Sequence, residues 1–461
     1  MRWTRAVAAT LVSLALPASS GALAGQATAP PVFRQDSALR AAAGENVPVS
    51  LDTPDRPHGE AFIAASPRDA RHLLAVAIAF TRPDSSATCA AFTSFDGGRT
   101  WRRSAALAGL ERAEFGFDPW AAFAPDGTAY ASCLGAHLQP RTATMLVYRS
   151  PDGGRTWGRP MALPHDGGGA FDRGVIAADG AGRLYAAVSQ TVVRDDVRHA
   201  PAVLGRVEPG DTAFAPPLRF MPDVLSRQVL DADLLPDGSL ALALYDGSAA
   251  GARPPTLRMW VLVTRDGGRS LEPARYVADF RRPAPGGAVL AADRSAGPHR
   301  GRLYLAWTDR DLERSDIVVA HSDDQGRTWS VPVRVNDRTG FFQHVHPTLE
   351  VNRDGVVGIV WSDRRSDRNG ACSELYFAAS RDGGESFGPN VRVSSVRSCP
   401  ETPGNEVPVT GGARLNLGQR WVVGGDYSGL AAAADGRFHA AWVDARTGRF
   451  QVWTAAITVE R

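Results

Sequence analysis

The sequence predicts an all-β protein in which one short unit of antiparallel strands recurs around a closed ring. Three observations lead to that fold class: a turn motif present in five copies, a nearly constant spacing between the copies, and an apolar strand at a fixed place in each repeat. A fixed period of this size, built from short strands, indicates a radial or stacked repeat architecture.

The repeated motif reads Ser-x-Asp-x-Gly-x-Thr-Trp, with conservative replacements at some positions. Its glycines accept the positive φ that tight turns between antiparallel strands demand. Its aspartate can accept hydrogen bonds from turn amides, and the Ser or Thr hydroxyl can close the loop. The final aromatic residue opens the next strand and offers a large apolar surface to bury. The five copies occupy residues 94–101, 150–157, 264–271, 322–329 and 380–387.

The spacing of the motif indicates how the whole chain is organised. Its aspartates stand at positions 96, 152, 266, 324 and 382, so that neighbouring copies follow one another at nearly equal steps. The step from Asp152 to Asp266 is twice as long as the others and predicts a further copy near position 209. Residues 208–214 keep the final aromatic residue without the motif's aspartate, and we interpret them as a worn sixth copy.

Each repeat shows the same order of strand signals. An inner strand A ends in an Asp-Gly turn, an apolar strand B follows, strand C leads into the motif, and strand D starts at its aromatic residue. Seven strand B segments predict a seven-bladed β-propeller of four-stranded antiparallel blades; a six-bladed ring with a decorated repeat is the alternative. These segments occupy residues 73–80, 128–134, 183–189, 240–245, 302–307, 356–361 and 437–442.

The seventh repeat contains signals for strands A, B and C only. The alternating segment 47–51, near the other end of the chain, is the best candidate for its missing fourth strand. Such a pairing would close the ring and remove the exposed edges that an open array leaves.

The motif resembles the Asp box, or BNR repeat, of the sialidase superfamily of β-propellers. The resemblance spans nearly all of the chain after its amino-terminal segment. In these families the Asp box lies at the blade periphery, on the face away from the binding site. The resemblance therefore implies that all five copies are structural.

Composition and the amino terminus predict an exported, globular protein. Of the 461 residues, 44% are hydrophobic and 22% charged, and a net charge of +2 gives no reason to expect nucleic acid as a partner. Arg2 and Arg5 precede a short apolar segment and a small-x-small site, which is typical of a signal peptide. We predict a signal peptide at 1–24, a flexible lead-in at 25–45, a propeller at 46–461, and a secreted or periplasmic location without a membrane span.

The four cysteines predict two disulfides in an oxidising compartment. Cys372 comes just before one strand and Cys399 just after its hairpin partner, so antiparallel geometry favours the bridge Cys372–Cys399. Cys89 then pairs with Cys133 on the consecutive blade. Neither a CxxC motif nor Cys/His metal spacing occurs, and we expect no metal or other cofactor.

A long connection marks one face of the predicted ring. Residues 394–424, rich in Pro, Gly and Asn, join blade six to blade seven on the face where propellers bind ligands. Long ordered loops are often lids or binding elements. The ends of the B strands and the beginnings of the A strands meet on the same face and form its mouth. The candidate binding residues there are Arg173, Arg227, Asp309, Arg310, His346, Asp363, Arg364 and Asp426.

A phrase of the type Trp-x-Asp followed by Arg recurs at the ends of B strands, in residues 307–310, 361–364 and 442–446. One interpretation is blade packing, with Asp–Arg pairs that link neighbouring loops. The other is that arginines in a partly closed mouth bind a carboxylate or sulfate in bidentate fashion. His344 and His346 share one face of a strand, and loop or ligand contacts fit them better than metal ligation does.

Residues 425–430, Gly-Asp-Tyr-Ser-Gly-Leu, resemble the sialidase segment that holds the nucleophilic tyrosine. The resemblance implies Tyr427 as the nucleophile. The glutamate that activates the tyrosine and the aspartate acid/base have no motif match; Glu350, Glu374 or Glu406 could be the first, and Asp118 or Asp172 the second. The family's Phe/Tyr-Arg-Ile-Pro motif is missing, so its arginine cluster cannot be assigned. The alternative is that Tyr427 is a packed residue of strand A.

The sequence supports three hypotheses of function. The first is an exported, monomeric protein that acts on extracellular glycans or glycoconjugates, as an exo-glycosidase of the sialidase type if it is catalytic. The second is a recognition propeller that binds glycan or protein without catalysis. The third is an endo-glucanase-like hydrolase, which requires two opposed carboxylates across an open cleft.

Overall fold

The computed structural model describes residues 31–80, 87–138, 141–165, 169–194, 197–221, 227–247, 257–280, 287–310, 315–339, 344–367, 369–408 and 414–460. The predicted signal peptide at 1–24 lies outside the described residues. Within them, regular structure is almost entirely β, and the longest helix is the four-residue α1, Leu417–Arg420. The predicted all-β class is confirmed.

Three short strands precede the repeats: β1 Val32–Phe33, β2 Ala41–Ala43 and β3 Val47–Pro48. Units one and two comprise β4 His58–Ala65, β5 Leu73–Phe80, β6 Ala87–Ser94, β7 Arg102–Arg103, β8 Phe115–Phe123, β9 Ala129–Leu138, β10 Arg141–Ser150 and β11 Met161–Ala162. Unit three comprises β12 Ala170–Ala178, β13 Leu184–Arg194, β14 Val197–His199, β15 Ala202–Val207 and β16 Leu218–Phe220. Unit four comprises β17 Arg227–Leu234, β18 Leu240–Gly247, β19 Leu257–Thr264 and β20 Arg275–Phe280.

Unit five comprises β21 Ala288–Ala292, β22 Leu303–Arg310, β23 Ser315–Ser322 and β24 Val333–Arg334. Unit six comprises β25 His344–Val351, β26 Val357–Asp363, β27 Glu374–Ser380 and β28 Val391–Arg392. The connection to unit seven contains β29 Glu406–Pro408, β30 Arg414–Asn416 and the helix α1; unit seven comprises β31 Gly429–Ala432, β32 Phe438–Asp444 and β33 Gln451–Val459. Two 3₁₀ turns, Leu110–Arg112 and Pro403–Asn405, complete the inventory of the described ranges.

The units form a closed circuit. Within each unit consecutive strands pair antiparallel, from the inner strand A outward. The inner strands β4, β8, β12, β17, β21, β25 and β31 pack side by side in that order, and β31 packs against β4. The described residues therefore form a β-propeller whose strand pairings group into seven units, with the inner strands around its axis.

The N-terminal segment completes unit seven, as predicted. Val47 pairs with Thr454 of β33, and Ala41 pairs with Val459 farther along the same strand. The arm before this pairing also contacts the outer edges of two other units: Val32 pairs in parallel with Val333, and the amide of Asp36 donates to the carbonyl of Phe387. The part of the predicted lead-in that the structure describes is thus hydrogen-bonded to units five, six and seven.

The core lies between adjacent units. The second strands are covered on both faces, which explains why β5 reads as an uninterrupted apolar segment with every residue buried. Large aromatic side chains such as Tyr148, Tyr185 and Trp361 fill the space between units and are almost completely buried. Full burial of an apolar side chain of this kind stabilises the fold by about 1.5–3 kcal/mol.

The repeated turns have the hydrogen bonds that the motif predicts. In the first copy, the Asp96 carboxylate accepts hydrogen bonds from the Thr100 amide and hydroxyl, at 3.0 and 2.6 Å, and from the Ser94 hydroxyl at 2.8 Å. Gly97 and Gly98 have φ of 79° and 83°, which a side chain would disfavour. In the second copy desolvation opposes ionisation of Asp152, but hydrogen bonds led by those of Thr156 outweigh it and lower its pKa to about 2.

Both predicted disulfides are present. Cys89–Cys133 joins β6 of unit one to β9 of unit two, and Cys372–Cys399 closes the base of the long connection between units six and seven. Two disulfides are consistent with an extracellular location. Within the described part of the chain, no helix has the length and apolar character needed to cross a membrane.

Candidate functional site

Four inner strands carry, near their start, a strained residue that bears a charged or titratable side chain. Glu60, Asp118, Arg173 and His346 have φ of 52°, 49°, 51° and 58°, in the left-handed region that non-glycine residues rarely adopt. Each lies at or beside a register shift in the pairing of strands A and B of its unit. Such bulges re-aim side chains, and strain of this kind concentrates at functional sites.

The strained positions follow the period of the repeat. Asp118 comes one period after Glu60, Arg173 comes one period after Asp118, and His346 lies three further periods on. One bulge geometry therefore recurs at the same end of several inner strands, around one mouth. Six non-glycine residues of the described ranges have positive φ, and these four are the ones on inner strands.

Tyr427 lies among these residues. Its hydroxyl donates a hydrogen bond to the carbonyl oxygen of Pro119 at 3.0 Å, and its ring meets Trp120 edge-on, with 5.6 Å between ring centroids. The guanidinium of Arg173 lies over the ring, 5.7 Å from its centroid. Burial raises the pKa of Tyr427 well above its ordinary value, and the carboxyl of Glu60 adds to this effect.

The carboxyl groups of Glu60 and Asp118 are hydrogen-bonded to each other beside Tyr427. An oxygen of Asp118 also accepts the backbone amide of Arg173 at 2.8 Å. Burial, then the charge of Asp118, raises the pKa of Glu60 well above its ordinary value. Burial, then the charge of Asp172, raises the pKa of Asp118 to about 7. At neutral pH this corner of the mouth therefore contains protonated carboxyl groups.

The long connection holds Glu60 in place. The amide of Glu60 donates to the carbonyl of Gly424 at 3.0 Å. A Cβ atom at Gly425 would lie 2.6 Å from the nitrogen of Glu60, so only glycine allows this approach. Gly425 is followed by Asp426 and Tyr427, and the same segment thus fixes both the carboxyl and the phenol.

The part of the mouth around His346 is basic. Burial lowers the pKa of His346 to about 3, and the cations Arg173 and Arg364 contribute in the same direction. Burial also lowers the pKa of Arg364; Asp367 opposes this effect and Arg310 adds to it. Arg173, Arg310 and Arg364, from units three, five and six, thus bring positive charge to one buried region. Such a region is suited to bind an anionic group of a ligand.

The Trp-x-Asp-x-Arg phrase serves packing in units six and seven. The carboxylate of Asp363 is completely buried and accepts hydrogen bonds from Trp361 Nε1 at 3.0 Å and Arg365 Nε at 2.8 Å. Its partner is Arg365 rather than Arg364, because side chains alternate along a strand and residues i−2, i and i+2 share a face. The phrase at 442–446 repeats the arrangement, with Asp444 bonded to Trp442 and Arg446.

The other predicted site residues have further contacts of their own. Arg227 is buried at the start of β17 and donates to the carbonyl of Ala200 at 3.5 Å. Asp309 and Arg310 end β22 and are partly buried. Asp172 is exposed beside Arg173, and Asp426 lies 3.7 Å from Arg420.

The three glutamates proposed to activate the tyrosine lie elsewhere. Glu374 pairs with Arg392 at 3.0 Å, and Glu406 pairs with Arg414 at 3.0 Å within the hairpin of the long connection. Glu350 lies in the axial channel. Glu60 is the glutamate whose charge affects the Tyr427 hydroxyl. The period of the repeat could have identified it, because Glu60 lies one repeat before Asp118.

Behind the mouth, the inner strands surround a cavity of about 280 Å³. Phe62 and Trp120 form part of its apolar wall and stack with 3.8 Å between ring centroids. Its polar wall consists of Asp231, Asp233, Arg294 and Glu350. Burial is the main cause that raises the pKa of Asp231 to about 7 and that of Glu350 to about 8. Tyr427 and Arg173 also line this cavity, so the mouth and the channel are continuous.

Across the ranges that the structure describes, no group of three or more His, Cys, Asp or Glu side chains is placed to hold a metal ion. His344, two residues before His346 in the sequence, is completely buried and its side chain lies 3.3 Å from that of Asp363.

No protein-family model matches this chain. A sialidase of Micromonospora viridifaciens is 32% identical over 171 residues, an alignment that covers 35% of this chain and 24% of the relative. The chain thus spans about a quarter of the length of the curated relative that it matches.

Solved structures with a similar arrangement include several carbohydrate-active proteins. A Hadza microbial sialidase has a TM-score of 0.49 at 15% identity, over 84% of this chain and 74% of that chain. An α-L-arabinofuranosidase of Fusarium graminearum, crystallised with an iminosugar inhibitor, has a TM-score of 0.49 at 16% identity, over 74% of this chain and 98% of its own.

Proposed function

We propose that this chain is an exported glycoside hydrolase of the sialidase type, with its active site at the propeller mouth around Tyr427. The observation that supports this most strongly is the set of strained, chemically active residues Glu60, Asp118 and Arg173 beside the phenol. Backbone strain and perturbed pKa values gather here, as they do at catalytic sites. The partial identity to a curated sialidase and the five Asp-box-like turns agree with this assignment.

Tyr427 supplies the nucleophile in this proposal. Attack of its oxygen on the anomeric carbon would break the glycosidic bond and form a glycosyl-tyrosine, while the aglycone oxygen leaves with a proton; water then hydrolyses the glycosyl-tyrosine. The hydroxyl must first exchange its bond to the Pro119 carbonyl for one to Asp118. Protonated Asp118, whose pKa is about 7, would give its proton to the leaving oxygen, and the carboxylate that remains would accept the proton of the phenol.

The proposed substrate is an extracellular glycan or glycoconjugate with an acidic terminal sugar. The basic side of the mouth, with Arg173, Arg310 and Arg364, would bind the carboxylate of that sugar. The carboxyl groups and Tyr427 on the acidic side would face the scissile bond. The predicted signal peptide and the two disulfides fit an extracellular site of action.

A recognition propeller without catalysis is the second candidate. It is favoured by the bond of the Tyr427 hydroxyl to a backbone carbonyl and by the Asp–Arg pairs that satisfy each other at residues 363–365 and 444–446. In that case the mouth binds acidic glycans and the phenol serves packing alone.

Hydrolysis of a panel of fluorogenic glycosides, including sialosides and arabinofuranosides, distinguishes the two candidates. We expect the wild type to hydrolyse an acidic glycoside and Tyr427→Phe to lose about 10³-fold or more in kcat. Tyr276→Phe, on an outer strand of unit four, is the matched control and should keep full activity. Unchanged turnover in Tyr427→Phe would remove the phenol from the mechanism, and glycan binding without turnover of any sugar would favour recognition.

A further inference from the structure

Two carboxyl groups in direct contact need a proton between them. Glu60 and Asp118 belong to neighbouring units, and equivalent bulges turn both side chains into the same corner of the mouth. Their side chains are hydrogen-bonded to each other. A carboxylate only accepts hydrogen bonds, so one member of the pair must be protonated.

The two members of the pair differ in access to solvent. Glu60 is 3% exposed and lies against the backbone of Gly424 and Gly425, whereas Asp118 is only partly buried. One carboxyl oxygen of Glu60 is buried and has no hydrogen-bond partner among the described residues. Asp118 is fixed by the Arg173 amide. A ligand in the mouth can therefore reach Asp118, with Glu60 behind it.

We propose that Glu60 and Asp118 work as one proton-holding pair, in which Asp118 exchanges the proton with the ligand and Glu60 is a positioning residue that donates to it from behind. The catalytic use of the pair rests on the proposed function. The retention of the proton does not, because it follows from the contact and from burial.

The charges around the pair set the pH range in which it acts. Asp172 and Asp426 face it from units three and seven and favour protonation, while Arg173 opposes it; the Tyr427 phenol is neutral. The hydrogen bond from Glu60 lowers the pKa of Asp118 and thus partly offsets the effects of burial and of Asp172. Loss of the hydrogen bond that Glu60 donates should therefore raise the pKa of Asp118 above about 7.

Infrared spectra in heavy water test the retained proton without any substrate. At neutral pH we expect the wild type to show the carbonyl band of a buried, protonated carboxylic acid. Asp231 and Glu350 of the axial channel, whose pKa values are about 7 and about 8, contribute bands of the same kind. Glu60→Gln should therefore lower the band intensity by the share of one carboxyl group, and Glu401→Gln, at an exposed glutamate, should leave it unchanged. A wild type without a protonated carboxyl band at neutral pH, or a folded Glu60→Gln with the same band intensity as the wild type, would overturn the proposal, whether or not the protein hydrolyses glycans.

The pH dependence of kcat/KM tests the positioning role. With a substrate from the glycoside panel, we expect the wild-type activity to fall as pH rises through about 7. Glu60→Ala should shift this limb to higher pH and lower the maximum by about 10-fold or more, while Glu60→Gln, which still donates a hydrogen bond, should shift it less. Superimposable pH profiles of wild type and both variants would contradict the role of Glu60. Absence of turnover together with the part of the infrared band that depends on Glu60 would reject the proposed function and leave the pair intact.

Discussion

The hydroxyl of Tyr427 donates a hydrogen bond to the carbonyl oxygen of Pro119, although 308 residues separate them in the chain. Tyr427 precedes the inner strand of unit seven, Pro119 belongs to the inner strand of unit two, and Glu60 of unit one lies next to both. The proposed active site is therefore assembled across the point where the ring closes. Both ends of the repeat array have to be in place before the site exists.

The disulfide at the base of the long connection should matter more for the site than the other disulfide. One variant replaces Cys372 and Cys399 by Ser and removes a bridge between residues 27 positions apart. The other replaces Cys89 and Cys133 by Ser and removes a bridge between residues 44 positions apart. Each loss should cost about 3–4 kcal/mol in the free energy of unfolding, measured by denaturation. At temperatures where both variants are folded, only the first should weaken glycan turnover or binding, because this connection leads to Tyr427. Equal effects of both pairs on the site would contradict this assignment.

The acids of the axial channel should make stability depend on pH. The pKa values of Asp231 and Glu350 are raised to about 7 and about 8, so the folded state keeps protons that the unfolded state has lost. Their contribution is fully present below about pH 4 and is lost as pH rises through about 8. In Asp231→Asn with Glu350→Gln, the melting temperature should vary less between these pH values. The exposed substitution Asp211→Asn should leave the pH dependence of the melting temperature as in the wild type. The same pH dependence in the double variant as in the wild type would refute the explanation.

Asp363 should be essential for packing. Burial opposes its ionisation, but His344, 3.3 Å away, and the hydrogen-bonded Arg365 outweigh burial and hold its pKa below the ordinary value, so the buried group is an anion. Asp363→Ala leaves Arg365 without this partner and should cost about 3–5 kcal/mol in denaturation experiments. Asp444→Ala should cost a similar amount, and the exposed Asp55→Ala almost nothing. A loss of ligand binding without loss of stability in Asp363→Ala would instead favour the binding interpretation of the phrase.

The repeated turns should contribute to stability and leave function unchanged. Asp152→Ala removes the acceptor for the Thr156 amide and hydroxyl and should destabilise the fold by about 1–3 kcal/mol. The pKa of Asp152 is lowered to about 2, so its contribution is present above its ordinary pKa and is lost as pH falls through about 2. Asp211→Ala, in the worn copy, is the control. Equal stability of the two variants at neutral pH would show that the turn hydrogen bonds are unimportant.

Much of the fold could be predicted from the sequence, because each copy of the repeat is recognisable from its own short segment. Each turn contains its own hydrogen-bond partners, so the motif and its spacing predict the strand order, and the cysteine positions at strand ends predict both disulfides. The closing strand was predictable because one repeat contains only three strand signals. The additional pairings of Val32 and Ala41 were not, since two- and three-residue strands give no alternating pattern.

The site was harder to predict than the fold. Asp118 and Arg173 could be proposed because each occurs at the beginning of an inner strand, and Tyr427 because residues 425–430 resemble the sialidase segment that holds the nucleophilic tyrosine. Glu60 was overlooked because the period was applied to the turns and not to the bulges, where the left-handed backbone leaves no residue signature. Side chains alternate between the two faces of a strand, and only this alternation identifies Arg365 as the partner of Asp363. Contacts such as Tyr427 to Pro119 depend on closure of the whole ring and have no local signal.

Covalent trapping tests the central claim most directly. The wild-type protein is incubated with fluorinated glycosyl donors of the acidic and neutral sugars in the panel, which slow hydrolysis of a glycosyl-enzyme, and is then digested and analysed by mass spectrometry. We expect one adduct on Tyr427, and none on Tyr427→Phe. Turnover of a glycoside with the adduct on another residue, or with undiminished rate in Tyr427→Phe, would contradict the account.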